Sequence, residues 1–87
     1  MNRINIIAYA EDENNNTSIF TLSIYDKELL DKYKTMNALD FYSEYFNLGE
    51  FQQVKKDKDF DIGAVNYEEI NFYVDGKLDN TLNNYYD

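Results

Sequence analysis

Residues 70–82 read INFYVDGKLDNTL. Ile70, Phe72 and Val74 recur at the period of two that puts alternate side chains on one face of a strand. Asp75 and Gly76 then supply the pair that accepts positive φ at both centres of a type I′ turn, the turn whose twist matches a two-stranded ribbon. A hairpin here commits the C-terminal part of the chain to antiparallel sheet.

Working towards the N-terminus, IFTLSIY (19–25) sets Phe20, Leu22 and Ile24 against Thr21, Ser23 and Tyr25, a half-buried strand. RINIIAYA (3–10) carries Ile4, Ile6, Ala8 and Ala10 at the same period, and the polar EDENNNTS (11–18) separates the two. These segments predict a second hairpin with a long acidic loop from Glu11 to Ser18. Between the hairpins, Asp26 is placed to cap a helix starting at Lys27. Leu29, Leu30, Tyr33 and Met36 follow at spacings of three and four, and the helical segment runs to about Asn47. Thr35 or Asn37 interrupts it, Asn37 capping a second piece with an Ala38, Phe41, Tyr45, Leu48 stripe. Gly49 is expected to end it in a left-handed turn, and EFQQVKK (50–56) reads as a further strand. The expected fold is α+β in the order β-β-α-β-β-β: a small antiparallel sheet with one long or broken helix packed on one face.

Eighty-seven residues make a single domain spanning 1–87. Ile, Leu, Val and Phe account for 23 of them, above the roughly one fifth below which charged chains stay disordered, so a small core is expected. Nine tyrosines add apolar area with polar tips. The lack of Cys removes disulfides and thiolate chemistry, and the lack of His removes the commonest general base and metal ligand. No apolar run approaches the ~18 residues of a membrane span, and MNRINIIAYAEDE turns acidic too early for a secretory signal. A cytoplasmic location is the expectation.

Seventeen acids against eight bases leave a net charge of −9. That charge opposes binding to nucleic acid or anionic lipid and favours a basic protein partner, or serves solubility alone. One run of it is DKDFDIGAVNYE (57–68). Asp57, Asp59, Asp61 and Glu68 occupy positions 1, 3, 5 and 12 of a calcium loop, which makes them the one metal candidate. Position 6 needs a glycine for the sharp turn but holds Ile62, with Gly63 one residue late. The flanking segments read as strands where helices are needed, and no second loop exists to pair with. The sequence therefore argues against metal, and no cofactor is expected. On an extended chain, Asp57, Asp59 and Asp61 would instead form a file about 6.6 Å apart. Successive phosphates of a nucleic-acid strand lie a comparable distance apart, about 6–7 Å. Glu11, Asp12 and Glu13 in the first loop, Asp40 and Glu44 on the helix, and Glu68 and Glu69 before the last hairpin could extend such a surface. Tyr42 and Tyr67 are the candidate aromatic anchors.

Enzymatic chemistry finds little material. Asp40 and Glu44 are neighbours on one helix face and not opposing walls of a cleft. There is no phosphate-binding glycine loop, and a chain this short is not expected to enclose a pocket of several hundred Å3. A non-enzymatic protein is the reading, with no catalytic residue.

A short chain with EDE near its start, DKDFD later, abundant Tyr, no Cys and a mixed α+β pattern resembles the small acidic inhibitors of bacteriophages. These are the anti-CRISPR and anti-restriction proteins, several of which mimic nucleic acid. The resemblance implies an inhibitor that occupies the basic nucleic-acid-binding site of a bacterial defence effector. The alternative is an interaction, immunity or assembly subunit that binds through an apolar patch, its acidity serving solubility.

Overall fold

The computed structural model describes residues 1–86. The chain is α+β, with five strands in one antiparallel sheet and two helices. Strands β1 (Ile4–Asp12) and β2 (Thr17–Ile24) form the first hairpin; helices α1 (Lys27–Thr35) and α2 (Ala38–Tyr45) follow; β3 (Gln52–Lys56), β4 (Val65–Val74) and β5 (Lys77–Tyr85) complete the sheet. The spatial order is β3-β2-β1-β4-β5, so each hairpin stays intact and β1 joins them at the centre.

The element order is therefore ββααβββ, with two helices where the sequence allowed one long one. The break comes at Met36 and Asn37. Asn37 is extended and its side-chain oxygen accepts the Asp40 N–H at 2.8 Å, which starts α2 as a separate helix. Asp26 does the same for α1 through the Leu29 N–H at 3.1 Å. Gly49 does not take a left-handed conformation; it sits in a single 3-10 turn, Leu48–Glu50.

One sheet face is dry. Ile4, Ile6, Ala8 and Ala10 on β1 meet Phe20 and Ile24 on β2 and Ile70 and Phe72 on β4. Leu30 and Tyr33 of α1 and Phe41 and Tyr42 of α2 cover that face. Phe72 stacks on Tyr33 at 5.5 Å and meets Phe41 at 6.4 Å, ring centroid to centroid. Ala8 and Ala10 are the small residues of the central strand, while the bulk comes from its neighbours. No helix among the described residues is long and apolar enough to cross a membrane.

The β4–β5 hairpin turns at Asp75 (φ 49°) and Gly76 (φ 86°), both positive as a type I′ turn requires. A bulge between Phe72 and Tyr73 then leaves Asp79 as the extra residue on β5. It swings Leu82 opposite Ile70 on the dry face and Tyr85 opposite Tyr67 on the other. The Asp79 carboxylate accepts the Tyr33 hydroxyl at 2.6 Å, tying the bulge to α1.

Candidate functional site

The first hairpin turn is shorter than its sequence implied, because β1 runs on to Asp12 and only residues 13–16 lie outside the strands. Asp12 is the reason. Its side chain falls on the dry face, 1% exposed, and one carboxylate oxygen accepts the Asn14 and Asn16 N–H groups, each at 2.9 Å. The other oxygen accepts the Asp61 N–H at 3.0 Å and the Asn16 side-chain amide at 3.2 Å. Burial pushes this carboxyl up, but the hydrogen bonds together outweigh it and hold Asp12 below the ordinary aspartate value. Asp12 is an internal tie and not part of an exposed acidic surface.

That tie draws residues 57–64 against the first turn. The Glu13 N–H donates to the Ala64 carbonyl at 3.0 Å, and the Asp57 N–H donates to the Thr17 carbonyl at 2.9 Å. Asp57 returns a bond by accepting the Thr17 N–H and hydroxyl at 2.8 and 3.0 Å. The chain from Asp57 to Asp61 is thus a turn and not an extended strand; the Phe60 N–H closes onto the Asp57 carbonyl at 3.1 Å. Buried Phe60 anchors it against Phe20 at 6.0 Å. No carboxylate file exists. Asp57 faces Thr17, Asp61 accepts the Gly63 N–H at 2.9 Å, and Asp59 is exposed.

Nor do these groups converge on a metal. Glu68 turns to the dry face, 5% exposed, and accepts the Tyr86 hydroxyl at 2.7 Å. Among the described residues no three acids come together as ligands. Burial pushes the Glu68 carboxyl up, and the Tyr86 bond offsets part of that.

The folded turn still gathers acids at one edge of the sheet. Glu13, Asp57, Asp59 and Asp61 are exposed there, with Glu11 and Glu69 half-buried beside them. Lys55, Lys56 and Lys58 belong to the same stretch, yet among the described residues none pairs with a carboxylate. The ion pairs among the described residues are Met1 N-terminus to Asp75 and Lys34 to Asp31, each at 3.8 Å, and both lie elsewhere. Asp40 and Glu44 are exposed on α2, where Asp40 accepts the Asn37 side-chain amide at 2.9 Å; no hydrogen bond joins them to the acidic edge.

The edge continues into the uncovered sheet face. There Tyr9 meets Tyr67 edge-on at 6.3 Å and Tyr67 meets Tyr85 at 4.8 Å. The Tyr9 hydroxyl reaches Glu11 at 3.5 Å, and the Tyr67 hydroxyl donates to Asn83 at 2.9 Å. Both phenols are pushed above the ordinary tyrosine value, first by burial and then by surrounding carboxylates. Glu11 and Glu69 act on both, and Asp57 acts on Tyr9. Of the two aromatic anchors read from sequence, Tyr67 is therefore at the edge. Tyr42 is not: it is a core residue on α2, packed on Phe51 at 6.2 Å. Tyr9 and Tyr85 are the members the sequence reading missed. Alternation in β1 carries a signal for Tyr9, which falls out of phase with Ile4, Ile6, Ala8 and Ala10. Tyr85 reaches Tyr67 only through the β4–β5 bulge, for which the sequence carries no clear sign.

A separate cleft of about 470 Å3 opens between α2, the Leu48–Glu50 turn, the Ile62–Ala64 turn and β4. Tyr42, Glu68 and Tyr86 line it. No protein-family model, curated protein or solved structure matches the sequence or the fold.

Proposed function

We propose that this chain is a binding protein that blocks the basic nucleic-acid-binding site of another protein, a bacterial defence effector being the class its resemblance implies. The observation that supports it is the edge where, among the described residues, Glu11, Glu13, Asp57, Asp59, Asp61 and Glu69 have no cationic partner and lie beside a tyrosine cluster. Carboxylates there meet lysines and arginines that otherwise hold phosphates. Tyr9, Tyr67 and Tyr85 offer ring faces to arginine and a desolvated centre to the interface. Long-range attraction speeds association, and salt weakens it. The reading requires neither a catalytic residue nor a cofactor.

The test is capture from a bacterial lysate on the immobilised chain, followed by elution with duplex DNA or RNA. The expected result is a nucleic-acid-binding protein that the nucleic acid displaces. A captured protein that nucleic acid leaves in place contradicts the proposal. A second reading, strand addition by a partner, draws on β5, an edge strand of nine residues with its outer side unpaired in the sheet. Under that reading capture is nearly indifferent to salt; under the first it falls by orders of magnitude between low and high salt.

A further inference from the structure

The cleft beneath α2 has a chemistry of its own, apart from the acidic edge. Its walls are apolar where Phe46, Leu48 and Val65 line it, and neither Lys nor Arg lines it. At its polar end lie Tyr42, Glu68 and Tyr86. Glu68 spends one oxygen on the Tyr86 hydroxyl, at 2.7 Å, and among the described residues its other oxygen receives no protein donor. The Tyr42 hydroxyl is buried, 95% of the residue's surface being covered, and among the described residues it has no hydrogen-bond partner. Burial is the main cause that raises its pKa, and the negative charge of the nearby Glu68 carboxylate raises it further.

An orphaned buried phenol is costly to keep in a fold, since it gives up water without replacement, and burial disfavours the charge of the Glu68 carboxylate. A group that donates hydrogen bonds and carries positive charge satisfies both. An anion is repelled, and a purely apolar guest leaves both unsatisfied. The volume lies within the range of small-ligand sites, and the apolar walls suit an alkyl stem.

We propose that this cleft binds an organic cation: an ammonium or guanidinium head seated between Glu68 and Tyr42, with an apolar stem along Phe46, Leu48 and Val65. The cation is carried either by a free amine or by a lysine or arginine side chain of a protein, the shared chemistry being the head and its stem. Glu68→Gln keeps the side chain's size and removes its charge. Tyr42→Phe keeps the ring and removes the orphaned hydroxyl. Neither variant alters the carboxylates at the acidic edge.

The experiment titrates n-butylguanidinium and n-butylammonium into the intact chain, with n-butanol and butyrate as neutral and anionic controls. Calorimetry and amide chemical shifts are the readouts. The expected result is saturable 1:1 binding of a butyl cation that shifts residues around Tyr42, Leu48 and Val65. Glu68→Gln weakens it about tenfold or more, Tyr42→Phe weakens it severalfold, and the controls bind at least tenfold more weakly. N-acetyl-arginine N-methylamide then separates the sources: binding comparable to butylguanidinium points to a protein side chain, and exclusion of the capped residue points to a free amine. The proposal is overturned if neither butyl cation binds at millimolar concentration. It is equally overturned if Glu68→Gln, with an unchanged circular dichroism spectrum, binds as the wild type does, or if butanol or butyrate binds as tightly as the cations.

Discussion

Asp12 and Glu68 are two carboxylates on the same buried sheet face, and their environments push them in opposite directions. Asp12 is held below its ordinary value of 3.8 by the hydrogen bonds it accepts, despite its burial. Its contribution to stability is therefore complete above that ordinary value and is lost as pH falls through the lower, folded one. Asp12→Ala is expected to lower the melting temperature at pH 7 by about 5 °C or more, from lost bonds to four groups. In strong acid the gap to the wild type should narrow; a pH series of thermal melts reads both effects. Glu68 has the reverse sign. Its folded value lies above the ordinary 4.5, so the wild type loses stability as pH rises from 4.5 through the folded value. Glu68→Gln should melt higher than the wild type at pH 7, and the advantage should vanish below 4.5. A variant that melts lower at pH 7 contradicts that account of the buried carboxylate.

At the scale of elements, the Asp75-Gly76 turn carries the C-terminal hairpin. Gly76 sits at φ 86°, where a Cβ is strained, although space around it is open, the nearest atom to an added Cβ lying 4.0 Å away. Gly76→Ala should therefore cost about 1 kcal/mol of stability through the backbone alone, measured by urea denaturation; no loss would mean that the turn is not type I′. This turn, the alternation in β1, β2 and β4, and the caps Asp26 and Asn37 were legible because each is a local rule written in adjacent residues. The bulges were not. Asp79 is an ordinary residue in an ordinary strand segment, yet it resets the β5 register and carries Leu82 to the core and Tyr85 to Tyr67. The run Asp57, Asp59, Asp61 misled for a related reason. Alternating aspartates suit an extended file, but Asp12, distant in sequence, captures the Asp61 N–H and Phe60 buries against Phe20, so the segment turns. Only the folded partner decides between the two.

For the molecule as a whole, the sheet has one face under two helices and one face open, with six of the 17 acids drawn to a single edge. Among the other described acids, Asp26, Asp40 and Asp75, on the helices and at the opposite end of the sheet, are tied to backbone or amide groups. The acidic candidates thus divide by use. Asp12 and Glu68 are buried, Asp57 and Asp61 brace the turn, and Glu11, Glu13, Asp59 and Glu69 remain for a partner. Reversing Asp57 and Asp61 would confound binding with folding, because Thr17 and Gly63 depend on them. The most direct measurement is thus the affinity of the captured nucleic-acid-binding protein for the variant carrying E11K, E13K, D59K and E69K, compared with the wild type at the same salt concentration. With circular dichroism and melting temperature near those of the wild type, the variant is expected to bind at least about a hundredfold more weakly, the loss of several charge pairs together. Affinity within twofold of the wild type would contradict the claim that this edge meets a basic site.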